Sequence, residues 1–245
     1  MKQRAQFRIV AAAATILMTA CAASSALAIG IVADSAAEFS AVQGQNGWYS
    51  GYLEGSFTAN DFLQLPTYSV SDSAWVYSLA HPPWTQVGAL YMHPDGPNNG
   101  RPIRWAVRRW VSDVAGPVII AGDLAMRNGG GNQDSDGITG KIWVDGISIL
   151  SQPLYAWDQT GVHYLLNTTV SVGSKVDFIL DSNGPGPYPG QTDYYDTTLF
   201  TAQVTLIPEP VTIAGLMLGL GGLAGYVRKR RTQIGFSSMT QPLGH

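Results

Sequence analysis

Apolar and polar residues alternate over much of the second half of the chain. Ile138, Gly140, Ile142 and Val144 alternate with Thr139, Lys141, Trp143 and Asp145, the period of two expected of a strand with one buried face. Asp145-Gly146 supplies a two-residue hairpin turn into Ile147-Ser148-Ile149-Leu150. Val176, Phe178 and Leu180 alternate with Asp177, Ile179 and Asp181, and Thr198, Phe200, Ala202, Val204 and Leu206 mark one last strand. From residue 103 to 207 no stretch sustains a helical period with caps. The predicted class is all-β, an antiparallel β-sandwich of jelly-roll type. Nearer the start, Gly44, Gly47, Gly51 and Gly55 interleave with Trp48, Tyr49, Tyr52 and Phe57, which reads as a strand pair with loops. The proline-rich segment 81–102 reads as a long ordered loop.

The two ends follow a different pattern. Lys2, Arg4 and Arg8 precede an apolar run from Ile9 to Ala23, and Ala26-Leu27-Ala28 places small residues where signal peptidase reads them. Residues 1–28 are therefore expected to be a secretory signal peptide cut after Ala28. A spanning anchor is the competing reading, but the run is shorter than the roughly 20 residues a bilayer requires. At the other end, Val211 to Val227 carries no charge. As a helix it would be about 25 Å long, enough for a thin bilayer. Its glycines are tolerated in membrane helices, and the following basic run would stay cytoplasmic, leaving residues 29–207 outside.

Pro208-Glu209-Pro210, the uncharged helix and Arg228-Lys229-Arg230-Arg231 together resemble the PEP-CTERM sorting signal of Gram-negative bacteria. The resemblance implies an exosortase-type processing enzyme as partner, removal of the helix, and release to the cell surface or an exopolysaccharide matrix. The signal would span 208–231. A polar tail, 232–245, continues beyond the point where the family usually stops. A permanent single-span membrane anchor is the plainer alternative.

Charge refines this picture. Of the 14 Lys and Arg, three lie in the N-terminal segment and four in the C-terminal run, leaving seven in 29–207 against 16 of the 17 acids. A segment so acidic is a poor nucleic-acid binder, which must replace phosphate counterions with basic side chains. The single Cys, Cys21, excludes an internal disulfide and a cysteine-based zinc site. His81, His93 and His163 have no ligand spacing.

All seven Trp lie between the two ends. An aromatic ring stacks on the apolar face of a sugar, whereas an inward Trp fills the core. Trp143 alternates with the apolar face of its strand and is expected to point outward. Trp157, beside Asp158, is the second glycan-binding candidate, with Trp48 and Tyr49 after it; Trp48, Trp105 and Trp110 also suit packing. Asn132, Asp134 and Asp136, followed by Gly137, have the alternating-oxygen spacing that opens a calcium loop. Trp143 stands where position twelve needs an acid, so an EF-hand is excluded, and a further ligand would come from Asp181, Asp193 or Asp196. A solvated acidic turn is the equal alternative. Arg101, Arg104, Arg108 and Arg109 are expected to pair mainly with Asp, Arg109 on the face opposite Arg108.

Gln43 to Tyr49, Val107 to Trp110, Gly129 to Gly137, Val172 to Phe178 and Tyr195 to Thr198 are similar to the jelly-roll modules of bacterial carbohydrate-active and surface proteins. That resemblance implies polysaccharide binding, a structural calcium and no catalysis. No nucleophile elbow, His-Glu-x-x-His or phosphate loop occurs. A self-associating matrix protein is one alternative. A glycoside hydrolase or lyase using Glu38 and Glu54 is another.

Overall fold

A computed structural model describes residues 30–127, 135–186, 192–208, 215 and 218–226. Gly30–Ile207 forms one compact unit. Outside it, residues 218–226 are helical, and among the described residues no helix is long and apolar enough to cross a membrane. The signal residues Ala26 and Ala28, and Glu209, Pro210 and Arg228 to Arg231 of the sorting motif, lie outside the described residues, as do Asn132 and Asp134.

Gly30–Ile207 is built of antiparallel sheets. The first carries β1 (Gly30–Asp34), β15 (Gln203–Leu206), β9 (Gly116–Met126), β14 (Thr198–Phe200), β7 (Tyr91–His93), β6 (Gln86–Gly88), β5 (Ala74–Val76) and β4 (Thr67–Ser69) in that order, with β12 (Val162–Val170) on the other side of β9. The second runs β11 (Ile147–Leu154), β10 (Ile138–Val144), β13 (Lys175–Asp181), β8 (Trp105–Val111), β2 (Trp48–Leu53) and β3 (Phe62–Gln64). One hydrophobic cluster draws on both, including Ile120, Leu124, Phe200 and Val204 from the first and Trp110, Ile142 and Phe178 from the second. Two antiparallel sheets therefore face each other across a shared core.

The β10–β11 hairpin turns at Asp145 and Gly146, with φ of 50° and 82°, as its Asp-Gly sequence requires. Three expectations need correction. The last strand is broken into β14 and β15, although its register against β9 is unchanged across the gap, from Phe200 opposite Leu124 to Gln203 opposite Ala121; in the gap the Ala202 amide donates to Ser35 Oγ at 2.8 Å, and the Thr201 carbonyl lies where a Cβ on Gly122 would stand. The segment 81–102 is not one loop; it contains β6, β7 and a short 3-10 turn, Pro97–Asn99. The face of β13 bearing Asp177, Ile179 and Asp181 is buried, because Phe57, Phe62, Trp105 and Trp143 pack over Leu53, Val107 and Ile179 as a second, smaller core.

That outer core explains the basic residues. Arg109 clamps Asp177 with two bonds, Nε to Oδ1 at 2.6 Å and Nη2 to Oδ2 at 2.8 Å, with its guanidinium over the Phe62 ring. Lys141 meets Asp181 at 2.7 Å over the Trp105 ring. Burial pushes both carboxyls above the usual aspartate range, and the bases oppose that shift. Arg108 differs: it enters the main core and bonds carbonyls instead of a carboxylate, which corrects the expected pairing.

Candidate functional site

Four connections between the sheets, β7–β8, β9–β10, β11–β12 and β13–β14, emerge at one end of the sandwich, joined there by the β2–β3 and β5–β6 turns. Among the described residues of 30–207, the exposed aromatic side chains all lie on these loops: Trp84 at 41%, Tyr155 at 45%, Trp157 at 51%, Tyr194 at 52% and Tyr195 at 45%. Val42, Val70 and Val172, exposed apolar side chains of the opposite end, are aliphatic. The Tyr155 and Trp157 rings stack at 4.8 Å and 15°, and His81 and Trp84 stack at 4.5 Å and 2°. Each stack leaves outward aromatic surface on a loop whose partner ring holds it flat.

The loops are tied to one another. Asn98 donates to Asp193 Oδ1 at 2.7 Å, and Asn99 donates both to Asp193 Oδ2 at 2.7 Å and to Asp95 Oδ1 at 2.9 Å. The Trp84 amide reaches Asp95 Oδ1 at 3.4 Å, and the Met126 amide donates to the Asp158 carbonyl at 3.0 Å. Gly137 lies so close to Leu154 and Ala156 that a Cβ there would overlap the Leu154 carbonyl. The Tyr155–Trp157 loop is thereby held against Asp136.

Beneath the aromatic residues lies a set of buried acids: Asp95, Asp136 and Asp196 at 0% exposure and Asp193 at 2%. Asp95 has a base, since Arg104 Nη1 stands 3.2 Å from its Oδ2 while Arg104 Nε meets Glu54 at 2.6 Å. Burial, with the Asp193 carboxylate nearby, raises the Asp95 carboxyl pKa. Asp136 accepts from Thr192 Oγ1 at 3.2 Å and from the Gly184 amide at 3.3 Å. Asp196 Oδ1 takes a long bond, 3.4 Å, from Ser135 Oγ, and its buried Oδ2 has no partner. Burial first, and then the charges of Asp136 and Asp193, push the Asp196 carboxyl well above its ordinary range. Among the described residues no three His, Cys, Asp or Glu already stand at metal-ligand spacing.

The sequence candidates are distributed unevenly. Trp157 lies on the rim; Trp143 does not. Trp143 points to the outer face as its alternation implies, but it is half-buried, 6.5 Å from Trp105 in the outer core. Trp48 is a correction: it is 7% exposed, packs on Phe178 and donates its indole N–H to Glu38 at 2.9 Å. Tyr49 follows it at the end remote from the rim and lies against Gly44. Of the calcium candidates, Asp136 and Asp196 are both buried at this end, near enough for the charge of Asp136 to raise the Asp196 carboxyl pKa. Trp84, Tyr155, Tyr194 and Tyr195 were not legible as site residues by alternation, because loops have no period; aromatic residues set beside Pro, Asp or one another in turn-rich segments are the signal that marks them.

Glu38 and Glu54 flank β2 at opposite ends, Glu38 bonded to Trp48 and Glu54 to Arg104. Six strand residues separate them by roughly 20 Å, beyond the roughly 5–9.5 Å at which glycosidase carboxyls cooperate.

No family model and no curated protein matches the chain. Among solved structures it is similar to the β-glucosidase of Kluyveromyces marxianus, at 13% identity and a TM-score of 0.34, over 75% of this chain and 19% of that one. The same enzyme in complex with glucose gives 13% identity and 0.33, over 78% and 20%. A ruminal GH26 endo-β-1,4-mannanase gives 15% identity and 0.28, over 65% and 26%. The chain thus spans about a quarter or less of each enzyme's length, and a likeness at these TM-scores carries neither fold nor activity to it.

Proposed function

We propose that this chain is a non-catalytic, exported surface or matrix protein of a Gram-negative bacterium whose sandwich, of jelly-roll type, binds glycan or exopolysaccharide. Delivery follows from the signal peptide, and sorting through the inner membrane from the Pro208-Glu209-Pro210 signal with its transmembrane helix. The observation that supports binding is the gathering of the exposed aromatic rings on one set of mutually bonded loops. Stacked rings offer flat apolar area at little entropic cost, and such residues dominate binding energy where they are few and central. Binding is therefore assigned to Trp84, Tyr155, Trp157, Tyr194 and Tyr195 and not to Trp143.

The test is retention of the whole chain, in detergent, by neutral and acidic polysaccharides immobilised as an array. Trp157→Ala and Trp84→Ala should each weaken binding roughly tenfold to a hundredfold, while Trp143→Ala leaves it unchanged. A blank array, or equal loss in Trp143→Ala, would exclude the rim as the binding surface.

One observation favours the self-associating alternative. Among the described residues β12 pairs only with β9, which leaves its other edge without a strand over nine residues, with Leu165 60% exposed, and unpaired edges template strand addition. If association is the function, Leu165→Lys should abolish a concentration-dependent rise in mass seen by light scattering. A mass independent of concentration in the unaltered chain excludes it.

A further inference from the structure

We propose that a cleft on the outer face of the first sheet is a binding site for a small amphipathic acid, an apolar or aromatic body carrying one carboxylate. Strand register builds its bottom. Leu199 of β14 stands opposite Tyr91 of β7 on one side and Ala125 of β9 on the other. Their chain neighbours Met92, Phe200, Leu124 and Met126 enter the main core, so alternation turns Tyr91, Leu199 and Ala125 to the outer face as one row. β12 runs beside β9 only as far as Val162, opposite Leu124. Past that point the β11–β12 loop takes over, the Asp158 carbonyl accepting from the Met126 amide at 3.0 Å. The result is a cleft of about 380 Å³ over the row, whose lining also includes Leu90, Arg127 and Gln159; small-ligand sites measure roughly 300–1,000 Å³.

Charge complementarity names the occupant. Arg104, Arg109 and Lys141 each meet a carboxylate, and Arg108 meets backbone carbonyls. Arg127 is exposed, and among the described residues no carboxylate meets it; its guanidinium lies over the Tyr91 ring, 4.7 Å from the centroid. That contact holds the cation at the cleft and leaves its planar fork of N–H donors for a carboxylate. The Asp72 carboxylate acts on Tyr91 as Arg127 does, with opposite sign, so the cleft suits a monoanion better than a phosphate dianion. The body is apolar because the bottom of the cleft is. The Tyr91 hydroxyl, the row's one polar side-chain group, already donates to the Asp72 carbonyl at 2.8 Å, and the exposed Leu90 adds apolar wall. A sugar acid would set its hydroxyls against Leu199, Ala125 and Leu90, where nothing replaces their water. The inference does not depend on glycan binding at the rim.

The probe is 4-fluorophenylacetate, followed by fluorine NMR line broadening on the whole chain in a non-ionic polyoxyethylene detergent, with detergent alone as reference. It should bind with a Kd of about 1 mM or below, and its uncharged amide at least about tenfold more weakly. Arg127→Gln should lose at least about tenfold while its Tm stays within about 2 °C of the parent, since the side chain is exposed. Leu199→Glu, which supplies a carboxylate inside the cleft, should abolish binding. Arg101→Gln, at an exposed arginine of the β7–β8 connection, should lose nothing. No broadening beyond the detergent reference overturns the site. So does an amide that binds as well as the acid, parental binding in Arg127→Gln, or an equal loss in Arg101→Gln. Glucuronate that displaces the probe at equal concentration assigns the cleft to a sugar acid and overturns the apolar body. A blank glycan array leaves the cleft standing, and a silent probe leaves rim binding standing.

Discussion

Arg108→Ala is expected to lower the unfolding free energy by about 3–5 kcal/mol, the range for breaking a buried charged network. Arg108 is 2% exposed in the second strand layer, and its side chain crosses to the first. Nη1 donates to the Phe200 carbonyl at 2.6 Å and to Ser35 Oγ at 3.1 Å; Nη2 donates to the Gly88 and Ala89 carbonyls. One guanidinium thus binds β14, the end of β1 and the β6–β7 turn to β8. Burial lowers its pKa to about 10, so it stays charged at neutral pH, with Asp34 acting at longer range. Truncation removes four donors from buried acceptors and leaves a void, and the losses add. Arg108→Met retains volume without donors and should lose less than alanine. Arg108→Lys retains charge but lacks the planar fork and should also fall short of the parent. Urea titration of the whole chain gives the three midpoints; an Arg108→Met variant as stable as the parent would show the latch to be dispensable.

Arg108 also marks where sequence reading stops. Its face relative to Arg109 was legible, because strand periodicity separates neighbours. Its partners were not, because backbone carbonyls carry no sequence signature, and an arginine near surplus aspartates invites the assumption of an ion pair. Trp143 shows the same limit from the other side. Period two placed it outward correctly, but period two distinguishes two faces without saying whether the second is wet. Here the β2–β3 connection folds Phe57 and Phe62 over that face, with Phe57 stacked on Trp105 at 4.3 Å, so the exposed-ring reading of Trp143 fails.

The rim was legible only in fragments for a related reason. Asn98 and Asp193 lie 95 positions apart and meet because successive connections cross between sheets at the same end. Such pairing follows from strand order, which single-sequence periodicity does not supply. The regular strands β10, β11 and β13 were readable because their signal is local, as was the Asp145-Gly146 turn. Aspartates at 134, 136, 193 and 196 were visible as oxygen donors. That Asp136 and Asp196 would be buried together, with one oxygen unpartnered, required the fold.

Gly137→Ala should cost about 2–5 kcal/mol, and the position matters because it joins the acidic floor to the Tyr155–Trp157 loop. Two effects contribute. Its φ is +85°, and a left-handed conformation costs an L side chain roughly 1–2 kcal/mol. A Cβ would also overlap the Leu154 carbonyl and lie 2.9 Å from the Ala156 amide nitrogen, and over-packing against fixed backbone typically costs about 1–3 kcal/mol. Gly173 separates the two, since it has φ of +88° with nothing within 4 Å of its Cβ position. Gly173→Ala should therefore show the conformational cost alone, and the difference between the variants measures how tightly the two loops are pressed together. The relief available to Gly137→Ala is withdrawal of residues 154–156 from Asp136, which would move Trp157 as well. Polysaccharide retention should accordingly fall in Gly137→Ala under conditions where it is still folded and be unchanged in Gly173→Ala. Equal unfolding midpoints in the two variants would mean that the loops yield freely, and a rim so compliant could not hold its rings in place for a sugar.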